Sequence, residues 1–300
     1  MSRGRLELVA AAALFSTGGA VVKLVSFGGL QLAGLRSLVA AALLLVVLPR
    51  ARRRWSASVW LAGTAYAATL VLFVTANKLT TAANTIFLQD TAPLYVLLLG
   101  PWLLREPLRA RDIAFLVVLA AGLALFFASP DPVSAIAADP ARGNLLAALS
   151  GLTWALTIVA LRFHSRGDGG DGAAAVVCGN LLAAVFCLPW MLPLPAASAT
   201  DWAGLAFLGL VQIGLAYLLV LAGMRHVAAL EASLLLLVEP VLSPIWAWLV
   251  HGERPTAWAL AGGAIILAAT ATKTVLEGRQ RRRSPAAPGS DGPAARPDRA

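Results

Sequence analysis

The sequence predicts an all-α polytopic membrane protein with ten transmembrane helices, arranged as two five-helix repeats of opposite orientation. Three observations lead there: an apolar composition, hydrophobic segments of spanning length, and basic residues gathered on one side. Of the 300 residues, 59% are hydrophobic and 13% charged, with a mean hydropathy of +0.78. A soluble domain carries roughly 45–50% apolar and about 25% charged residues, so a water-soluble globule could not hide the excess. Ten helices of about 20 residues use most of the chain. That leaves no room for a second folded soluble domain and argues against an enzyme built on one.

Hydrophobic segments fall at 6–24, 30–49, 57–77, 81–104, 112–128, 143–161, 172–193, 202–224, 229–250 and 256–275. None alternates as a strand would, and in lipid a helix satisfies its own backbone. The first segment follows Arg3 and Arg5, as a signal peptide would, but it is long for one, holds Glu7 and Lys23, and precedes nine further spans. We read it as an uncleaved helix. The longest loop, 129–142, contains Pro130, Asp131, Pro132, Asp139 and Pro140. Residues 276–300 are rich in Arg, Pro, Gly and Ala and are expected to form a disordered cytoplasmic tail. Cys178 and Cys187 share one segment and, nine residues apart, lie on opposite helix faces, so they read as packing residues rather than a disulfide.

Charge sets the expected orientation. In a soluble protein a net charge of +9 would suggest a nucleic-acid partner; here the arginines read as topology signals, with no nucleic acid. With the N-terminus inside, 19 of the 24 Lys and Arg fall on cytoplasmic segments and 3 (Lys78, Arg142 and Arg254) outside. This bias places both termini in the cytoplasm. Tryptophans 55, 60, 102, 190, 202, 246, 248 and 258 lie near span ends, as an interfacial belt requires, whereas Trp154 falls mid-span.

The segment Val71–Leu123 aligns without a gap with Leu218–Thr270 at an offset of 147. Pro93 falls on Pro240, Glu106 on Glu253, Lys78 on Arg225 and Asn84 on Glu231. Five spans per half is an odd number, so the second half inserts upside down. Inverted repeats are the architecture of many alternating-access carriers, with the site near the midplane between the halves.

The stretches Tyr217–Glu253 (YLLVLAGMRHVAALEASLLLLVEPVLSPIWAWLVHGE) and Thr75–Pro107 (TANKLTTAANTIFLQDTAPLYVLLLGPWLLREP) resemble the EamA-type transporters of the drug/metabolite transporter superfamily. Trp154 followed by Arg162 looks like that family's opening-helix pattern, with Phe15 and Lys23 as its counterpart in the first half. The resemblance covers about residues 5–275, and we divide the chain into repeat 1 (5–128), repeat 2 (143–275) and the tail (276–300). It implies a ten-helix inner-membrane carrier, usually an exporter of amino acids, metabolites or drugs.

A charge at the centre of a membrane costs at least about 2.5–3.5 kcal/mol and should face a cavity or a partner. Glu239, just before Pro240, is a candidate for binding a substrate amine or a proton, because proline frees a carbonyl about one turn earlier; a protonated glutamate bonded to a neighbouring helix is the structural alternative. Asp90, beside Gln89 and three residues before Pro93, is the second such acid. The repeat alignment pairs Glu239 with Ala92, so the two acids are not strict equivalents. Arg36 is deep enough to neutralise either acid or to bind a substrate carboxylate. Asn84 and Glu231 are either cavity ligands or helix caps. Trp154 either walls the cavity or simply packs. Arg36, Asn84, Gln89, Asp90, Trp154, Glu231 and Glu239 therefore form the expected substrate or coupling cavity.

Lys23 is expected to snorkel, Gln212 and Asn180 to bond between helices, and Glu106 and Glu253 to complement helix N-termini. Small-residue stripes (Ala120, Ala124, Ala128; Ala264, Ala268, Thr272) suit close helix contact, within one chain or in a homodimer. No phosphate loop, zinc motif or hydrolase triad is present in the sequence, so no cofactor, metal or catalytic residue is expected. The expected partners are a small-molecule substrate, the lipid bilayer and, as candidate coupling ion, the proton. The competing class is a polytopic membrane enzyme acting on lipid-like substrates, which needs a polar cluster at one interface rather than at mid-membrane.

Overall fold

The computed structural model describes residues 2–52, 55–103, 110–128, 133–164, 171–194, 196–227 and 229–283. Its helices are α1 (Arg3–Ser16), α2 (Gly18–Leu24), α3 (Gly29–Val47), α4 (Ala57–Leu79), α5 (Ala82–Gln89), α6 (Ala92–Leu103), α7 (Ala110–Ala128), α8 (Pro140–His164), α9 (Asp171–Met191), α10 (Ala199–Ala206), a π-helical stretch (Phe207–Leu215), α11 (Ala216–Gly223), α12 (Ala229–Leu236), α13 (Val238–His251) and α14 (Ala257–Arg283). Among the described residues nine helical stretches are long and apolar enough to cross a membrane. The expected fourth crossing is divided between α5 and α6, and the path is consistent with ten.

Two of the interruptions are related. The chain leaves helical geometry at Asp90–Thr91, between α5 and α6, and at Leu237, between α12 and α13. Asp90 and Leu237 differ by the same 147 positions that relate the repeats. Proline explains both breaks. Pro93 and Pro240 stand in the first turn of the second half-helix, where a missing N–H costs little, and neither can bond back to the carbonyl four residues earlier. At the first break α8 passes very close: a Cβ on Gly151 would lie 3.0 Å from the carbonyl oxygens of Leu88 and Gln89. A third interruption, at Thr17, is held by Ser16 and Thr17 hydroxyls bonding the carbonyls of Ala13 and Leu14.

Two boundaries differ from the sequence reading. Helix α8 begins at Pro140 rather than 143, because proline suits the first helical position and Asp139 accepts from the Arg142 N–H at 3.1 Å. Helix α14 runs on to Arg283, through residues expected in the disordered tail. Lys, Arg, Gln and Glu are good helix formers, and cations complement the C-terminal end of the helix dipole. Residues 284–300, and the loop with Arg105, Glu106 and Arg109, lie outside the described residues.

Helices of the two halves pack on one another. α4 lies along α8 and α9, α3 along α9, and α1 against α11 and α13. Val22, Phe27, Leu32, Leu70 and Leu208 belong to the buried cluster they share. One face of the bundle carries Arg3, Arg5, Arg52, Arg225 and Arg279 at helix ends, and we call it the arginine-rich face. Trp60, Trp102, Trp190, Trp202, Trp248 and Trp258 are exposed near span ends, but Trp246 turns inward and donates to Ser16 Oγ at 2.9 Å.

The small-residue stripes do not serve a contact within the chain. Ala120, Ala124, Ala128, Ala264, Ala268 and Thr272 are all exposed; α7 and α14 meet instead through Gly122, Phe126, Gly262 and Ile266. The cysteines are free and buried. Cys187 packs against Gly34 on α3 and Cys178 against Gly63 on α4, where an added Cβ would lie 2.6 Å from Cys178 Sγ. Gly63→Ala is therefore expected to destabilise the detergent-solubilised protein by about 1–3 kcal/mol. Adding Cys178→Ala should recover part of that loss in thermal unfolding. Independent, additive losses would show that this contact does not set the α4–α9 spacing.

Candidate functional site

Where the broken helices face the middles of α3, α4, α8 and α11, they enclose a cavity of about 260 Å³. Its charged groups are Arg36, Asp90 and Glu239, joined by Gln89, Gln212 and Thr69. Phe15, Tyr66, Trp154 and Tyr217 supply an aromatic wall. Phe15 meets Tyr217 edge-on at 5.2 Å between centroids, Tyr217 meets Tyr66 at 5.7 Å, and Trp154 tilts on Tyr66 at 6.1 Å. Five of the seven predicted residues are thus brought together: Arg36, Gln89, Asp90, Trp154 and Glu239.

The polar groups have few partners. Arg36 is 2% exposed. It donates to Gln212 Oε1 at 3.4 Å and to the Leu70 carbonyl at 3.5 Å, both long. Its Nε is buried with no hydrogen-bond partner among the described residues. A guanidinium has five donors, so most of this one faces the cavity unspent. Asp90 Oδ2 is likewise buried without a hydrogen-bond partner among the described residues. Of the two roles open to Arg36, the ion pair with Asp90 or Glu239 is not formed among the described residues. Although the alignment offsets the acids by two positions, both Asp90 and Glu239 line the same cavity. Buried polar atoms without partners in a protein are normally satisfied by water or a ligand.

The π-helical stretch Phe207–Leu215 carries Gln212, which bonds the Phe15 carbonyl at 3.4 Å and so joins α1 to the Arg36 side chain. This is the interhelical role expected of Gln212. Asn180 bonds the Val176 carbonyl of its own helix at 2.9 Å. Gln89 donates to Ser150 Oγ at 2.7 Å, and Thr69 bonds Thr153 at 2.9 Å, tying α4 and α5 to α8.

Two predicted residues lie elsewhere and are corrections. Asn84 is buried at the start of α5, at the face opposite the arginines, where its amide donates to Asn144 Oδ1 at 3.2 Å. The cap of that helix is Thr81, whose hydroxyl accepts from the Asn84 N–H at 3.2 Å. Glu231 stands at the arginine-rich face and pairs with Arg5 at 2.5 Å, both side chains well exposed. As repeat equivalents at span starts, they must fall at opposite ends of the bundle, away from its middle. Lys23 does not simply snorkel: its ammonium donates to the carbonyls of Thr80, at 2.7 Å, and Ile136.

A polar network seals the face opposite the arginines. Asp201 accepts from the Ser26 N–H at 2.6 Å, His251 Nε2 lies 2.8 Å from the Ala20 carbonyl, and Thr80 Oγ1 donates to Asn144 at 2.7 Å. Glu253 is buried and accepts from the Ala82 N–H at 2.6 Å. It complements a helix N-terminus as expected, but that of α5 in the other half. On the other side the cavity lining reaches Val220, within a turn of the arginine-rich end of α11.

The sequence reading missed Tyr66 and Tyr217 as cavity residues. The signal was available: they are two of only three tyrosines, and both sit mid-span rather than at an interface.

The EamA-like transporter family profile matches residues 2–128 and 141–273. The chain belongs to the EamA-like transporter family. It is therefore a multi-pass membrane transporter, and the family's members are transporters rather than enzymes. A solved structure described only as "Crystal structure of protein" is similar in fold, with a TM-score of 0.60 at 23% identity over 92% of this chain and 99% of the other. For this EamA-like transporter, Glu253→Ala is expected to cost about 1–3 kcal/mol by leaving the Ala82 N–H at the start of α5 without its acceptor. Glu253→Gln, which keeps an acceptor, should cost less. Equal thermal unfolding of both variants and the parent would contradict the capping role.

Proposed function

We propose that the protein is an alternating-access secondary exporter whose substrate occupies the cavity of Arg36, Asp90 and Glu239. The observation that carries this reading is that Arg36, Asp90 and Glu239 line one midplane cavity, with Arg36 Nε and Asp90 Oδ2 buried without hydrogen-bond partners among the described residues, between two halves whose breaks share one repeat offset. Such an arrangement suits an amphipathic, zwitterionic small molecule. Arg36 meets its carboxylate, Asp90 or Glu239 its ammonium, and Tyr66, Trp154 and Tyr217 its apolar body. The boundaries 5–128 and 143–275 are the two rocking units. The protein resides in the plasma membrane with the arginine-rich face and both termini in the cytoplasm. The cavity then reaches toward the cytoplasm while the polar network closes the outside, a state ready to load cargo for export.

Proton coupling belongs to the same reading. Two carboxyls sharing one enclosed space cannot both ionise cheaply, so one takes up a proton when the cargo's ammonium leaves. Comparing metabolites in medium and cells with and without overexpression identifies the cargo. Flux of that cargo in proteoliposomes under an imposed pH gradient then tests the mechanism. The gradient is expected to drive uptake in the parent protein, with Glu239→Gln and Asp90→Asn each losing at least about tenfold in flux and Glu239→Gln losing the pH dependence. Flux and pH dependence unchanged in both variants would overturn the site, and parent flux indifferent to the gradient would overturn the coupling.

A further inference from the structure

A second, larger hollow lies on the outer surface, where α7 and α14 diverge toward the arginine-rich face. It has a volume of about 470 Å³. Its walls are apolar: Phe115 and Val118 from α7, Ile265 and Ala268 from α14. The small-residue stripe of α14 contributes Ala268 and Thr272 to its floor, and their missing bulk is what makes room. At the mouth stand Arg111, Asp112 and Lys273. Lys273 bonds Asp112 at 2.8 Å and lies over the Phe115 ring at 5.0 Å. Those two charges offset one another, so Arg111, which is exposed, leaves the mouth with a net positive charge. Arg279, also exposed, continues the face of α14 that carries Thr272 and Leu276, seven residues beyond Thr272.

We propose that this groove is a binding site for an anionic phospholipid of the leaflet on the arginine-rich face. The phosphate sits between Arg111 and Arg279, with an acyl chain along Phe115, Val118, Ile265 and Ala268. Charge complementarity singles out the occupant. A purely apolar furrow would take any acyl chain, but this one ends in cations at headgroup depth, where basic pockets between transmembrane helices hold anionic headgroups. Arginine also presents a fork suited to phosphate oxygens. A lipid held there wedges α7 against α14, the last spans of the two halves, at the place where repeat must move against repeat.

The full-length protein, purified in a mild detergent, is incubated with equimolar dioleoyl phosphatidylglycerol and dioleoyl phosphatidylcholine, and retained lipid is counted by native mass spectrometry. The phosphatidylglycerol adduct should dominate. Arg111→Gln and Arg279→Gln should each reduce the preference about fivefold. Ala268→Trp, which fills the groove from an exposed position, should abolish the adduct while the protein still elutes as the folded species. Soluble glycerol phosphate at the same concentration should leave the adduct intact. Equal retention of the two lipids, a preference that survives Arg111→Gln and Ala268→Trp together, or displacement by glycerol phosphate would each overturn the proposal. So would a dimer that Ala268→Trp dissociates, since the groove would then belong to a second copy of the chain.

Discussion

Holding a guanidinium and two carboxyls at mid-membrane is tolerable only where they border a polar space, and much of the architecture follows from making that space. Continuous helices satisfy their own backbones and leave no polar wall. Interrupting them does. The breaks at Asp90–Thr91 and Leu237 bring backbone and carboxyl groups to the same depth as Arg36. The π-helical stretch around Gln212 and the interruption at Thr17 add two more irregularities beside the same cavity. α8 comes close enough at Gly151 to cover the carbonyls at the first break.

The two ends of the bundle are held differently. At the face opposite the arginines the contacts cross between the halves: Glu253 to the start of α5 is buried, and Asp201 to Ser26 and His251 to Ala20 are part-buried. At the arginine-rich face the described ion pairs Arg3–Glu7 and Arg5–Glu231 are exposed, and Lys273–Asp112 is part-buried. Exposed pairs contribute about 0–1 kcal/mol, while breaking a buried bond leaves a polar group stranded and costs more. In the proposed alternating-access cycle the end with the stronger bonds is the closed one, and its opening exchanges these bonds for comparable ones in the other repeat.

Much of this was legible in the sequence, because the signals are coarse and physical. Hydropathy shows the spans, and the Pro93–Pro240 and Glu106–Glu253 pairs reveal the repeat. Mid-span charge and an off-belt tryptophan were enough to find Arg36, Asp90, Glu239 and Trp154. What was not legible depends on three-dimensional depth. Asn84 and Glu231 look like further polar residues of the same spans, but their position at span starts sends them to opposite ends of the bundle. Glu253 reads as a cap for the helix that follows it, and folding brings it to α5 instead. The break at Asp90–Thr91 is marked by Pro93, whereas the π-helical stretch, with two separated glycines (Gly209 and Gly214), has no proline or charge to announce it.

The central claim is that the cavity is water-accessible and lies on the transport path. It is tested most directly by placing a single cysteine there, Thr69→Cys in a Cys178→Ala, Cys187→Ala background. Labelling uses a membrane-impermeant maleimide applied separately to right-side-out and inside-out membrane vesicles. The account predicts labelling from the arginine-rich face, slowed by the transported metabolite. No labelling from either side, or labelling indifferent to that metabolite, would contradict it.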